Sequence, residues 1–143
     1  MISGDWESWE TWTLDPSGAL PDNPSQEIPS DDPIDRVVIL SGRTVTVNSN
    51  NITNAYLKVD GEIDLQNTTG HSFNEIDGSG RILLAADNFP SGDAAHFVTP
   101  GQGEGTGVYY GSGYNLNQSL PFFDLNITLD NPTDKLTLLA DYD

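Results

Sequence analysis

The chain has 143 residues, 22 of them acidic and five basic, and its formal charge of −17 repels phosphate backbones and anionic lipid headgroups. No nucleic-acid partner and no membrane insertion are therefore expected, the second because no apolar run approaches the length of a span. Cysteine is absent, which removes disulfide frameworks, thiolate metal sites and cysteine nucleophiles, while the length suits a single domain.

Residues 1–35 differ in kind from the rest of the chain. Trp6, Trp9 and Trp12 come first, then a lead-in punctuated by Pro16, Pro21, Pro24, Pro29 and Pro33. A spacing of three fits one helical face, but Gly4 and the β-branched Thr11 and Thr13 fit an irregular or extended segment equally well. The expected role is an N-terminal cap that covers the apolar cross-section and unpaired strand edges of a solenoid. The functional alternative is a glycan-stacking platform built from Trp6, Trp9 and Trp12. The opening MISGDWESWE has neither a basic n-region nor an apolar h-region, which favours a piece of a longer secreted chain with Met1 added.

Over residues 36–84 one pattern is read three times, as VVILSGRTVTV, YLKVDGEIDLQ and NEIDGSGRILL, each two short strands hinged at a glycine-containing turn. Apolar and polar residues alternate, so Val45 and Val47, Ile63 and Leu65, and Ile82 and Leu84 are expected on one buried face. Val45 to Ile63 is 18 residues and Ile63 to Ile82 is 19. A period this regular predicts a solenoid whose coils bury their apolar faces only by stacking. Thr44, Glu62 and Arg81 then form an outward column in which Glu62 can pair with Arg81. Gly61 and Gly80 are expected at positive φ where the chain turns a corner, and outward Asp64 is expected to tolerate alanine.

After Leu84 the spacing loosens. Residues 86–107 are expected to bulge from the stack as a long loop before a pair formed by Val108 and Tyr110. In the last copy, DLNITLDNPTDKLTLL, Leu125 and Ile127 are assigned to the first strand of a coil and Leu136 and Leu138 to the second. The predicted fold is all-β: a right-handed parallel β-helix spanning residues 36–143, truncated at its C-terminal end, behind an irregular cap of residues 1–35. Partners expected at that open edge are further coils of the same polypeptide or a neighbouring module.

Reactive chemistry is sparse. His71 and His96 fall in loop-like stretches and read as surface or turn residues, and no G-x-S-x-G elbow occurs, so no catalytic residue is assigned. Polysaccharide cleavage is the enzymatic alternative, but the three clear coils hold only Arg43, Lys58 and Arg81 as basic groups, without a recurring carboxylate cluster beside them. Calcium is a candidate ligand through oxygen-rich loops at Asp87, Asp93, Glu104 and Asp130. Scattered acids are more simply a solvated face, so no metal ligand and no cofactor is assigned.

The order GDWESWETW, a proline-rich spacer, DRVVILSGRTVTV, LKVDGEIDL, HSFNEIDGSGRILL, FPSGD, GVYYGSG and FFDLNITLDNPTDKLTLLAD resembles the opening of large secreted cell-surface proteins of the Bacteroidetes. The resemblance implies a right-handed parallel β-helix, export by the type IX secretion system, and an adhesive or motility-related setting at the cell surface; the repeated core chemistry and the lack of assembled reactive side chains add the expectation of a non-catalytic structural or adhesive segment. The resemblance rests on turn and core residues rather than catalytic ones.

Overall fold

The computed structural model describes residues 2–30, 35–116 and 123–138. They form a parallel β-solenoid of about five turns with almost no helix. In chain order the elements are β1 (Gly4–Asp5), a 3-10 turn (Trp9–Thr11), β2 (Arg36–Ile39), β3 (Thr44–Thr46), β4 (Thr53–Val59), β5 (Glu62–Asp64) and β6 (Ser72–Asp77). After these come β7 (Arg81–Leu84), β8 (Ser91–Asp93), the single helical turn α1 (Ala95–Val98), β9 (Thr106–Gly111), β10 (Asn115–Leu116), β11 (Asp124–Leu129) and β12 (Thr137–Leu138). The strands sort into a six-stranded sheet ordered β1-β3-β5-β7-β9-β11, a four-stranded sheet ordered β2-β4-β6-β8, and the pair β10-β12.

Alternation places the core. In the six-stranded sheet Val45, Ile63 and Ile82 stand in register and are fully buried, as are Val47, Leu65 and Leu84 one step along each coil. In the four-stranded sheet Val37, Leu57 and Ile76 form the facing column, with Ile39 beside Val59. Outside, Thr44, Glu62 and Arg81 stack as expected, and Arg81 Nη1 lies 2.9 Å from Glu62 Oε2. Each coil closes through a third, irregular side whose backbone still stacks: Val47 N–H donates to Asp64 O (2.8 Å), Asn51 N–H to Thr69 O (2.9 Å) and Ser72 N–H to Ile52 O (2.9 Å). Buried Asn88 ties two turns together, its Nδ2 donating to Gln66 O at 2.9 Å and Thr68 O at 2.6 Å.

The N-terminal segment is more than an irregular cover, because β1 pairs with β3 and adds a strand to the six-stranded sheet. Trp6 N–H donates to Thr46 O at 2.7 Å, and its ring enters the core. Trp12 packs edge-on against that ring with centroids 5.0 Å apart, and its indole N–H donates to Trp6 O at 2.8 Å.

Four expectations need correction. Gly61 and Gly80 are absent from the positive-φ glycines, which include Gly42 and Gly78. They are small because neighbouring coils touch there: a Cβ on Gly61 would strike Arg43 O and Leu40 O, and one on Gly80 would strike Gly61 O. Asp64, although outward, is engaged, with Oδ1 accepting from Tyr110 Oη (2.7 Å) and from Gln66 N–H (2.9 Å), so alanine there removes two hydrogen bonds.

The third correction concerns residues 86–107, which are not one bulged loop. β8 pairs with β6 through backbone groups that need no apolar side chain, and α1 comes next, sending Phe97 into the core. The fourth is a register. Gly107 and Tyr109, not Val108 and Tyr110, stand opposite the core residues Ile82 and Leu84. Leu125 and Ile127 then continue the six-stranded sheet, opposite Gly107 and Tyr109, and are not in the first strand of a coil. Leu136 packs part-buried against the core, and β12 pairs with β10. The Leu138 side chain and residues 139–143, on which the expectation of a truncated stack partly rests, lie outside the described residues.

Candidate functional site

The three tryptophans do not share one exposed platform. Trp6 is 2% exposed and offers no face to a ligand, whereas Trp9 is 39% exposed and Trp12 is part-buried. The proline-rich lead-in is pinned above them by Asn23, whose Nδ2 donates to Trp9 O (3.0 Å) and Glu27 O (2.7 Å). Hydrogen bonds from Leu20 N–H and from Ser17 hold the Asp15 carboxyl down at about 2. Between this segment and the first coil lies a cleft of about 420 Å³, lined by Trp12, Leu14, Ile28, Val38 and the charged Asp35 and Arg36. Its walls are apolar with a polar rim, the general character of a small-ligand groove.

A second, more chemically pointed arrangement sits on the outer face of the four-stranded sheet. Strand register stacks Arg36, Tyr56, Glu75 and Asp93 in one row, and Val38, Lys58 and Asp77 in the next. The Arg36 guanidinium lies 4.2 Å from the Tyr56 ring centroid, and Tyr56 Oη donates to Asp77 Oδ2 at 2.9 Å. Burial, reinforced by the Asp77 carboxylate, raises the Tyr56 hydroxyl above its ordinary value. Burial also pushes Asp77 up, but hydrogen bonds from Gly78 N–H and Tyr56 Oη outweigh it and leave the carboxyl lowered. Lys58 is raised by the Asp60 carboxylate, 2.9 Å away.

α1 follows directly on β8 and packs beside β6. Phe97 is sealed in the core, while backbone bonds from Gly103 N–H to His96 O (2.8 Å) and Gly105 N–H to Phe97 O (2.7 Å) fix the turn. His96 is thereby held outward, its Nδ1 3.8 Å from Glu75 Oε1. One donor atom each from Glu75, Asp77 and His96 lies within 4.8 Å of the others, the only such group of three or more acidic or histidine side chains among the described residues. A hollow of about 470 Å³, lined by Lys58, Asp60, Asp77, Ser79, His96 and Gln102, opens beside them.

The calcium candidates Asp87, Asp93, Glu104 and Asp130 are not brought together in any such group. Glu104 Oε1 instead accepts from Gly101 N–H (2.8 Å), and Asp93 Oδ1 from Ala95 N–H (2.9 Å). Of the two histidines, His96 is exposed as expected, but His71 is not a surface residue. It is 4% exposed, with Nδ1 accepting from Ile52 N–H at 3.4 Å and Nε2 2.9 Å from Thr68 Oγ1. The third side of the coil turns this ring inward, and burial pushes its pKa down.

Sequence reasoning missed the pairing of Glu75 and Asp77 with His96. The available signal was the i, i+2 pair of acids on one outward face of NEID; the imidazole arrives from 19 residues further on. Comparison with family models, curated proteins and solved structures returned no match. Geometry therefore carries the functional reading.

Proposed function

We propose that this chain is a non-catalytic structural or adhesive segment of a secreted bacterial cell-surface protein, in which stacked coils serve as a spacer. One observation carries the reading: the core column runs on into β11, where Leu125 and Ile127 occupy core register yet remain 42% and 51% exposed. Apolar residues in that position are suited to being covered by another layer, either further coils of the same polypeptide or a neighbouring module. The acidic surface favours partners reached through backbone pairing and apolar contact over anionic polymers.

A second reading, carbohydrate binding or polysaccharide cleavage, is favoured by the apolar cleft against Trp12 and by the exposed ring of Trp9. A glycan array run beside a reducing-sugar assay separates the two. The structural reading expects no product and no selective glycan. Selective binding that disappears in Trp9→Ala would establish the second reading, and product formation would overturn the first outright.

A further inference from the structure

We propose that Glu75, Asp77 and His96 bind a divalent transition-metal ion of the zinc class, tying α1 to β6. The three side chains come from two elements that the fold brings together. Glu75 and Asp77 stand on one outward face of β6, and His96 on a turn anchored by the buried Phe97. A metal bridging them would join the α1 insertion to the neighbouring strand β6.

The donor set selects the ion. Two carboxylates and an imidazole suit zinc or a neighbouring first-row ion, whereas calcium prefers six to eight oxygens. Zinc bonds of about 2.0–2.2 Å in tetrahedral geometry place neighbouring donors roughly 3.3–3.6 Å apart. The observed separations, within 4.8 Å, close to that range by rotamer adjustment of Glu75 and His96, whose side chains are both partly exposed. Asp77 is already oriented by Tyr56 Oη and Gly78 N–H, the outer support that ligating carboxylates usually have, and each of its oxygens keeps acceptor capacity for an ion. The nearest competing cation, Lys58, is engaged by Asp60. A fourth position would open onto the hollow beside His96 and admit water or an incoming ligand.

The chain has only two histidines, which makes the test direct. Zinc chloride alone is titrated into the intact protein in a non-chelating buffer, and the imidazole proton resonances are followed by NMR. His96 signals should shift with one-to-one stoichiometry while those of buried His71 stay fixed, and manganese chloride should broaden the same His96 signals selectively. His96→Ala, Asp77→Asn and Glu75→Gln, each with the far-ultraviolet circular dichroism of the parent, should weaken zinc binding by at least about tenfold. Zinc should also raise the melting temperature of the parent and leave that of His96→Ala in place. Unmoved His96 signals, equal effects on His71, undiminished zinc affinity in all three variants, or calcium bound more tightly than zinc would each overturn the proposal.

Discussion

At the scale of single residues His71 is where the fold meets solution pH. Burial opposes a positive ring and lowers its pKa from the ordinary 6.5, while its Nδ1 accepts from Ile52 N–H. In the unfolded chain the imidazole titrates normally. Below that value the unfolded state takes up a proton that the native state refuses, so the stabilisation is complete above it and declines as pH falls toward the lowered folded pKa. Glu7 behaves likewise further down: burial pushes it up, but hydrogen bonds from its own backbone and from Asn48 win, and its contribution is lost only as pH falls below the ordinary 4.5. Urea midpoints should therefore fall between about pH 7.5 and about pH 5, and His71→Gln, although less stable throughout, should flatten that segment of the profile. An unchanged slope in His71→Gln would show that another group governs the window.

At the scale of elements the coils are spaced by corners that leave no room for a side chain. Gly61 sits with Arg43 O and Leu40 O where its Cβ would be, while Gly42 has φ +74° and open space around the missing Cβ. Alanine at Gly42 meets only the left-handed penalty of about 1–2 kcal/mol. Alanine at Gly61 must push one coil's backbone off the next, for about 3 kcal/mol. Urea unfolding of the two variants should rank them in that order, and a costlier Gly42→Ala would refute the close-approach account. The corner glycines were legible in the sequence by position, but their cause was not, because φ and inter-coil distance are tertiary quantities. The same division holds for the strands. Val45, Ile63 and Ile82 announce their register through local alternation, but at the next coil the inward position is Gly107, which carries no apolar signal, and α1 is inserted ahead of it. Leu125 and Ile127 therefore looked like the start of a coil when they continue the same sheet. The Glu75–Asp77–His96 group was illegible for a related reason: its partners meet only after β6 and α1 have packed.

At the scale of the whole molecule the two ends of the described stack are finished differently. One end is closed by β1, by the Trp6 ring in the core and by Trp12 against it, with Thr11 buried beneath. At the other, β11 is the last strand of the six-stranded sheet among the described residues, and it carries two exposed aliphatic side chains in core register. Adding a strand there would satisfy backbone groups and cover Leu125 and Ile127, but a second copy carries the same net charge of −17 and brings the acidic side chains nearest the edge to within one or two strand spacings, about 5–10 Å. Repulsion at that range is inside the Debye length of about 10 Å at 0.1 M salt, so self-association should be weak at low ionic strength and should grow as salt is added. That direction is diagnostic, since an association driven by ion pairs would weaken with salt instead. Sedimentation across a wide concentration range should give a rising weight-average mass in high salt, and Leu125→Lys with Ile127→Lys should return it to the monomer while leaving circular dichroism unchanged. A parent protein that stays monomeric at every concentration and salt level would mean that β11 is not a recruiting edge, and the case for a spacer extended by further coils would lose its principal support.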